Sequence, residues 1–283
     1  MILAIPPTVL DAIIVRALEE DLASGDLTTD ACIAESARAI ADAAARSEIV
    51  VCGGAVFFRV FALIDASVTF EAKLADGAIA KKGDVMWTVS GPARSLLMGE
   101  RTALNFVQRM SGIATVTRAY VNALPKGSNT RVIDTRKTTP GLRVLERYAV
   151  RAGGGKNHRD NLGSAVLIKD NHIVASGGVR QAIERAREHA PHTCKIECEV
   201  DSFAQLDEAL AAGADIVLLD NMSTPDVEKA VKIAKGRAIT EASGGVTLAR
   251  ITELASVGVD AISVGALTHS APSADIGLDF RNA

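Results

Sequence analysis

The sequence predicts an α/β fold in which an incomplete βα barrel of about seven strands follows an α+β N-terminal domain. Two features of the second half of the chain predict the barrel: short apolar runs end in polar residues, and Ala-rich helical segments separate these runs. Serial strand–helix units build a parallel sheet with its helices outside. Because no dinucleotide-binding fingerprint accompanies the units, a closed or nearly closed barrel is favoured over an open sheet.

The first part of the chain mixes helix and strand signals. A helix is predicted for residues 8–22, with Thr8 as its capping residue. A second, long helix is predicted for residues 95–124, with an interruption near residues 111–112. Between the two helices, residues 39–89 indicate short strands separated by glycine turns. The clearest of these strands are 48–51, 67–71 and 85–89.

Six strand–helix units follow residue 125. The apolar runs are 131–135, 165–170, 195–200, 215–220, 238–243 and 260–265. Intervening helices are predicted at 178–190, 202–212, 225–234 and 248–256. The polar residues that end the runs lie 35, 30, 21, 21 and 22 residues apart, enough for one strand and one helix each. Since the carboxyl ends of parallel barrel strands share one rim, we expect all six to face one mouth. They are Asp134, Lys169, Glu199, Asp220, Glu241 and Ser263.

The charge of the chain is nearly balanced but unevenly distributed. Its 283 residues include 31 Lys and Arg against 34 Asp and Glu, a formal net charge of −3. This balance argues against a general nucleic-acid-binding surface. Residues 131–169 carry a surplus of 6 positive charges, and residues 197–241 a surplus of 6 negative charges. In a barrel, both blocks would face the same mouth.

Composition also indicates in which cellular compartment the protein is expected. No stretch is apolar enough to predict a transmembrane helix, and the N-terminus does not resemble a secretory signal. The spacing of the cysteines matches no zinc or disulfide framework. We therefore expect buried, reduced thiols in a cytoplasmic protein with no membrane or nucleic-acid partner. The cysteines are Cys32, Cys52, Cys194 and Cys198.

Three basic motifs fall on the early units of the barrel: DTRKTTPG from residue 134, GGGKNHR from residue 153 and KDNH from residue 169. Taken singly, they are also explained by a solvated loop, a flexible turn and a structural salt bridge. Taken together, they place several cations near one point, which indicates a multiply anionic ligand. The cations are Arg136, Lys137, His158, Arg159 and Lys169.

Two further groups end the later strands. Glu199 and Asp220 are able to bind a divalent metal or sugar hydroxyls, or to face a developing cation, and ion pairing to the basic loops is the alternative. Glycines after the last strands expose backbone N–H groups that suit a phosphate, although tight turns also need them. These glycines lie in Ser243-Gly244-Gly245 and in Gly265-Ala266.

Together these motifs resemble the carboxylating quinolinate phosphoribosyltransferase family, along essentially the whole chain. The resemblance rests on residues 20–29, 100–106, 111–115, 134–143, 153–159, 167–173, 219–222, 241–245 and 265–270. It implies an N-terminal domain over residues 1–112 and a barrel over 113–268, with the tail 269–283 packed on the first domain. It also implies a homodimer or a higher homo-oligomer.

The resemblance implies transfer of phosphoribosyl from 5-phosphoribosyl 1-diphosphate to quinolinate with decarboxylation. The products are nicotinate mononucleotide, carbon dioxide and diphosphate, in NAD biosynthesis, with Mg²⁺ as cofactor. By this resemblance Arg136, His158, Arg159 and Lys169 hold the quinolinate carboxylates, and Arg101 reaches the neighbouring subunit's site. Lys137 binds near the diphosphate, and Glu199 and Asp220 meet the ribose hydroxyls and the metal. The remaining implied substrate-binding residues are Thr135, Ser243, Gly244, Gly245, Ser263, Val264 and Gly265.

Lys137, Lys169, Glu199 and Asp220 are the implied catalytic residues. Two alternatives stay open: a paralogous transferase-fold protein associated with molybdenum transport, and a non-catalytic anion- or nucleotide-binding protein. The chain departs from the family pattern at residues 160–164, which read DNLGS. Asp160 is able to pair with Arg159 there and weaken carboxylate binding.

Overall fold

The computed structural model describes residues 5–282 and divides them into two compact units. The first unit consists of residues 5–118, 138–154 and 267–282, and the second of residues 119–137 and 155–266. This division differs from a simple split after residues 112 and 268, because residues 138–154 belong to the first unit. Residues 1–4 and 283 of the predicted domains lie outside the described chain.

The N-terminal elements alternate short helices and short strands before one long helix. In chain order they are α1 (Pro7–Leu22), α2 (Leu27–Cys32), β1 (Arg38–Ala45), β2 (Ile49–Val50), α3 (Gly54–Ile64), β3 (Thr69–Ala72), β4 (Ile79–Ala80), β5 (Val85–Pro92) and α4 (Ala93–Asn122). The predicted strands at 48–51, 67–71 and 85–89 correspond to β2, β3 and β5.

The rest of the chain repeats strands and helices. In order these are β6 (Arg131–Ile133), α5 (Arg143–Ala152), β7 (Val166–Ile168), α6 (Asp170–Ser176), α7 (Val179–His189), β8 (Ile196–Val200), α8 (Phe203–Ala211), β9 (Ile216–Asp220), α9 (Thr224–Ala234), β10 (Ile239–Ser243), α10 (Leu248–Ser256), β11 (Ala261–Ser263), α11 (Ala266–His269) and β12 (Ile276–Asn282). All six strands and all four helices predicted after residue 125 are present, with ends that differ by one or two residues.

The first unit contains an antiparallel sheet of strand order β12-β1-β5-β3. The C-terminal strand β12 pairs with β1 along seven residue pairs, from Ala39 opposite Asn282 to Ala45 opposite Ile276. Small residues on β1, among them the fully buried Ala41 and Ala43, form one face of this pairing. The end of the chain therefore completes the sheet that its beginning starts.

Two predictions for the N-terminal region were wrong in detail. Helix α1 begins at Pro7 rather than after a Thr8 cap, and no side chain caps it. Proline suits this first position because its missing N–H would have no partner within the helix. Helix α3 lies where the sequence indicated only strands. Its buried residues fall at helical spacing, but its run of valines and phenylalanines resembles a strand. They are Gly54, Val56, Phe57, Val60 and Phe61.

The predicted interruption of α4 is also wrong, since the helix continues without a break through Ser111 and Gly112. The Ser111 hydroxyl donates to the Cys52 carbonyl at 3.2 Å and accepts from the Cys52 N–H at 3.1 Å. A Cβ atom on Gly112 would lie 1.9 Å from the Pro272 carbonyl oxygen. The serine–glycine pair therefore serves a close packing contact of the helix.

The second unit is built on six parallel strands in the order β6-β11-β10-β9-β8-β7. A single parallel bridge joins Ile133 of β6 to Lys156. If this one-residue bridge is counted, seven segments form the wall of the barrel. Among the described residues, no strand pairing joins Lys156 to β7, so the wall is open there. The incomplete βα barrel predicted from the sequence is therefore confirmed.

Helices of the second unit follow simple amphipathic rules. In α8, Leu206, Ala209 and Leu210 are buried at the spacing of one helical face. Ser202 and Ser223 cap α8 and α9 by accepting backbone N–H groups two or three residues into each helix. Within residues 5–282, no helix is long and apolar enough to cross a membrane.

The close approach at Gly112 gives a stability prediction. Gly112→Ala should lower the free energy of unfolding by roughly 3 kcal/mol, because the new methyl group meets rigid backbone that cannot move aside. Urea denaturation followed by circular dichroism measures the change.

Gly163→Ala is the matched control. Its Cβ would meet only the Asn161 side chain at 3.4 Å, and Gly163 does not have a positive φ. This change should stay within about 0.5 kcal/mol of the parent. Equal stabilities for the two variants would show that Gly112 is not a packing constraint.

Candidate active site

The residues predicted to form a site lie at the carboxyl ends of the barrel strands. Strand pairing sets Leu167 opposite Glu197, Glu199 opposite Leu218, and Asp220 opposite Ser243. The polar ends of neighbouring strands therefore follow one another around a single rim, as expected for parallel barrels. All predicted site residues except Arg101 belong to the second unit.

Asp134 follows β6 and fixes the loop that carries His158 and Arg159. Its carboxylate is fully buried and accepts the His158 N–H at 2.7 Å and the Asn157 side-chain amide at 2.6 Å. The Asp134 N–H donates to the Lys156 carbonyl at 3.1 Å. A buried carboxylate needs such partners, so this residue ties the glycine-rich segment to the end of β6.

Arg159 and Arg136 lie close enough to repel each other. Burial, followed by the charge of Arg136, holds the pKa of Arg159 below its usual range, against the opposing charge of Glu197. One guanidinium nitrogen of Arg159 donates to the Ala165 carbonyl at 3.0 Å. Like charges gathered at a partly buried rim favour binding of an anion.

The His158 side chain points toward carboxylates rather than toward other cations. Nε2 lies 3.1 Å from Glu197 Oε2 and 3.6 Å from Glu241 Oε2, and Nδ1 accepts the Arg159 N–H at 2.7 Å. Burial lowers the pKa of His158, but the Glu197 hydrogen bond and the charges of Glu241, Glu197 and Asp134 raise it overall. Both ring nitrogens are therefore engaged within the protein.

Glu197 and Glu241 were not singled out as site residues from the sequence. Both are about 4 % exposed, and burial together with the charge of Glu197 raises the pKa of Glu241 to about 7, against His158 and a Ser263 hydrogen bond. Carboxylates inside otherwise apolar strands were the available signal, because such groups are rarely buried without a role.

Lys169 and Glu199 face each other across neighbouring strand ends, with Nζ 3.4 Å from Glu199 Oε2. Burial raises the pKa of Glu199, the Lys169 charge opposes this, and the Asp220 charge adds to it. The Lys169 N–H donates to His172 Nδ1 at 2.9 Å at the start of α6. In the KDNH motif, the histidine therefore orients the backbone of the lysine.

Glu199 and Asp220 supply the donors that a magnesium ion would need. Glu199 and Asp220 come from the neighbouring strands β8 and β9, and the charge of Asp220 contributes to raising the pKa of Glu199. Mg²⁺ is commonly held by one or two carboxylates with substrate phosphates, and this pair fits that requirement. Among the described residues, the ligand atoms of His158, Glu197 and Glu241 also lie within 4.8 Å of one another. The hydrogen bonds of Glu197 to His158 and to Glu241 account for that closeness.

The glycine segment after β10 adopts conformations that favour glycine. Gly244 and Gly245 have φ of +90° and +54°. A Cβ on Gly244 would lie 2.2 Å from Asn221 Oδ1, and the Asn221 N–H donates to the Ser243 carbonyl at 3.1 Å. The turn is therefore held against the end of β9, where the Asn221 side chain leaves no room for a Cβ atom on Gly244.

The other predicted substrate-binding residues have different surroundings. Ser263 is buried and bonds to Glu241, and the Val264 N–H donates to the Ile133 carbonyl at 3.0 Å. Thr135 Oγ1 accepts the Lys137 N–H at 3.1 Å. Gly265 is partly exposed, and Lys137 and Arg101 are exposed, with Arg101 lying on α4 in the first unit.

The cysteines differ from the expectation that all four are buried. All four are free; Cys52 and Cys198 are buried, Cys194 is half-buried and Cys32 is exposed. Burial, then the charges of Glu199, Glu197 and Glu208, raise the pKa of Cys198 to about 12. Burial also raises the pKa of Cys52 well above its usual range.

The fold is an α/β barrel whose rim places clustered cations opposite paired carboxylates, an arrangement that suits enzymes acting on multiply anionic ligands. Two family models match the chain: the C-terminal domain of quinolinate phosphoribosyl transferase over residues 113–279, and the N-terminal domain over residues 26–111. The chain belongs to the quinolinate phosphoribosyl transferase family.

Individual relatives agree with this placement. A nicotinate-nucleotide pyrophosphorylase (carboxylating) from Mycobacterium leprae is 44% identical over 94% of this chain and 95% of its own length. A decarboxylating quinolinate phosphoribosyltransferase from Nicotiana tabacum is 39% identical over 95% and 81%. The crystal structure of NadC from Streptococcus pyogenes matches with a TM-score of 0.93 and 44% identity, over 98% and 99% of the two chains. The comparisons do not favour the molybdenum-associated or non-catalytic alternatives.

Thiol burial gives a labelling prediction. In the native protein at neutral pH, iodoacetamide should alkylate Cys32 at least about 100-fold faster than Cys52 or Cys198, because alkylation requires an accessible thiolate. Peptide mass spectrometry after timed quenching measures each site. All four cysteines should react in denaturant, and rapid native labelling of Cys198 would contradict the burial of β8.

Proposed function

We propose that this chain transfers the phosphoribosyl group of 5-phosphoribosyl 1-diphosphate to quinolinate and releases carbon dioxide and diphosphate. The observation that carries the proposal is the pair of guanidinium groups at Arg136 and Arg159. Burial and mutual repulsion lower the pKa of Arg159 there. A bound dianion offsets this repulsion, and quinolinate carries two carboxylates.

Arg136, Arg159 and Lys169 bind the quinolinate carboxylates in this proposal. Guanidinium forks match carboxylate geometry, and the lysine ammonium adds a mobile positive charge. His158 contributes through its position beside Arg159, because its ring nitrogens already bond to Glu197 and to the Arg159 backbone. This arrangement holds the pyridine nitrogen toward the anomeric carbon of the second substrate.

The second substrate lies along the rest of the rim. The backbone of residues 243–245 and of Gly265 binds its 5-phosphate, with Thr135 and Lys137 near the diphosphate. Ser263 and Val264 support this segment from inside the barrel, where the Ser263 hydroxyl bonds to Glu241 and the Val264 N–H donates to the Ile133 carbonyl. Glu199 and Asp220 bind the ribose hydroxyls and hold Mg²⁺. When bound, Mg²⁺ supplies positive charge that stabilises the diphosphate leaving group.

Glycosyl transfer breaks the bond between the anomeric carbon and the diphosphate oxygen, and the electron pair leaves with diphosphate. Positive charge develops on the ribose ring, where Glu199 and Asp220 stabilise it. The lone pair of the pyridine nitrogen forms the new N–C bond. The resulting pyridinium accepts the electrons of the adjacent carbon–carboxylate bond as carbon dioxide leaves, and a proton then replaces it on that carbon. No covalent enzyme intermediate is required.

We further propose that the enzyme works as a homodimer or a higher homo-oligomer in the cytoplasm, in NAD biosynthesis. Arg101 is exposed on α4 and lies outside the unit that holds the rim. In the proposed assembly it binds substrate in the neighbouring subunit. Four free cysteines suit a reducing compartment.

A direct assay tests the reaction. Purified protein with quinolinate, 5-phosphoribosyl 1-diphosphate and Mg²⁺ should release carbon dioxide and nicotinate mononucleotide in equal amounts. Nicotinate in place of quinolinate should give no product, because the cations that hold the second carboxylate would lack their partner. Lys169→Ala should lose turnover by about 100-fold or more. Because the lysine side chain is half-exposed, the variant should fold like the parent, which circular dichroism checks.

Lys195→Ala is the matched control, since this exposed lysine precedes β8 at the opposite end of the strand. It should retain the parent turnover. Binding of quinolinate without turnover by the parent protein would instead support a binding function. Near-parent activity of Lys169→Ala would remove the proposed role of Lys169.

Subunit mixing tests the assignment of Arg101. Arg101→Ala and Lys169→Ala should each be inactive alone. Mixed dimers contain one site with both residues intact if Arg101 serves the neighbouring subunit, so co-expression should restore about one quarter of the parent activity. Mixing Lys169→Ala with the double variant should restore none. Failure of the first mixture would place Arg101 in its own subunit's site, and an active Arg101→Ala variant would place it outside any site.

A further inference from the structure

Below the rim, the barrel contains a cluster of buried polar groups built around two carboxylates, Glu197 and Glu241, to which the proposed chemistry assigns no role. Glu197 of β8 and Glu241 of β10 each have side chains about 5 % exposed, and His158 lies between them with 12 % exposed. Ser263 of β11 hydrogen-bonds to Glu241. Buried carboxylates destabilise a fold unless they are paired. The presence of two of them in one cluster therefore indicates that the cluster has a function.

The contacts around His158 are directional. Its Nε2 lies 3.1 Å from Glu197 Oε2, which is a hydrogen-bond distance, and 3.6 Å from Glu241 Oε2, which is not. Its backbone N–H donates to Asp134 at 2.7 Å, which fixes the main chain at this residue. Glu197 is therefore the direct partner of the ring, and Glu241 supports it.

The other ring nitrogen connects this cluster to the rim. Nδ1 of His158 accepts the backbone N–H of Arg159 at 2.7 Å. A ring nitrogen accepts a hydrogen bond only when it carries no proton, so in this arrangement the ring proton is on Nε2. Glu197 accepts the hydrogen bond that this Nε2–H donates. The carboxylate therefore selects the histidine tautomer that can hold Arg159.

We propose that Glu197, supported by Glu241, is a positioning residue that acts through His158 to aim Arg159 at the carboxylates of the substrate. The inference rests on the proposed function, because it takes quinolinate as the anion that Arg159 binds. Glu197 itself does not touch substrate. Its loss would let the His158 ring change tautomer or rotate, and the Arg159 N–H would lose its hydrogen bond to His158 Nδ1.

Two conservative variants separate hydrogen bonding from charge. Glu197→Gln removes the negative charge but keeps an oxygen at the same reach, so it should bind quinolinate within about 3-fold of the parent. Glu197→Asp keeps the charge but withdraws the oxygen by one methylene, so it should weaken quinolinate binding by about 10-fold. Both retain a polar group for the buried site, and circular dichroism and thermal melting check that both fold.

Calorimetric Kd for quinolinate and steady-state kinetics provide the readouts. In Glu197→Asp, the Kd and KM for quinolinate should rise together, while kcat and the KM for 5-phosphoribosyl 1-diphosphate change less than about 3-fold. A structural defect would instead alter all of these. In a His158→Ala background, Glu197→Asp should have no further effect on the quinolinate Kd, because Glu197 acts through the ring.

The outcomes distinguish this inference from the proposed function. An active parent whose Glu197→Asp variant binds quinolinate normally overturns the positioning role and leaves the function intact. A parent that binds quinolinate without turnover overturns the function, and the Kd series still decides the positioning role. The positioning role is also overturned if Glu197→Gln and Glu197→Asp weaken quinolinate binding equally. It is likewise overturned if Glu197→Asp weakens binding as much in the His158→Ala background as in the parent.

Discussion

The candidate site depends on one buried carboxylate, that of Asp134 at the end of β6. It accepts hydrogen bonds from the Asn157 side chain and the His158 N–H, and its own N–H donates to Lys156. The Lys156 N–H in turn donates to Val132, which adds the single-residue bridge to the barrel. If this loop moved away, a fully buried carboxylate would lose its hydrogen bonds from Asn157 and His158. The position of Arg159 beside β6 follows from this constraint.

Because this loop is held in place, the positive charges of Arg136 and Arg159 are brought together, and their repulsion lowers the stability of the ligand-free protein. Burial and the neighbouring Arg136 lower the pKa of Arg159, and burial and Asp220 raise that of Glu199. Each side of the rim therefore carries groups whose charged form the fold disfavours. Sites that are strained in the absence of ligand are typical of binding and catalysis. A ligand with anionic groups on one side and a developing cation on the other would relieve both.

The sequence predicted the barrel well because each strand is a short apolar run with a polar end, and the same ends form the rim. Sequence-based prediction failed at two places in the N-terminal region. Helix α3 is so apolar and aromatic that its helical spacing was masked, and Gly112 reflects a packing contact that depends on the distant Pro272. The residue types of the rim were predictable. The direction of the His158 ring was not, since it depends on Glu197 and Glu241 from two other strands.

The two glutamates of strand β8, Glu197 and Glu199, lie in different layers of the barrel and have different partners. Side chains two residues apart point to the same side of a strand, so Glu197 and Glu199 both face inward but at different heights. The upper carboxylate meets Lys169 at the rim, where substrate can reach it, and the lower one meets His158 in the buried layer. In the proposed function, one strand thus provides a group that takes part in the chemistry and a group that supports it. Because the two share a rigid backbone, the support and the rim keep a fixed relative geometry, which a loop-borne carboxylate would not ensure.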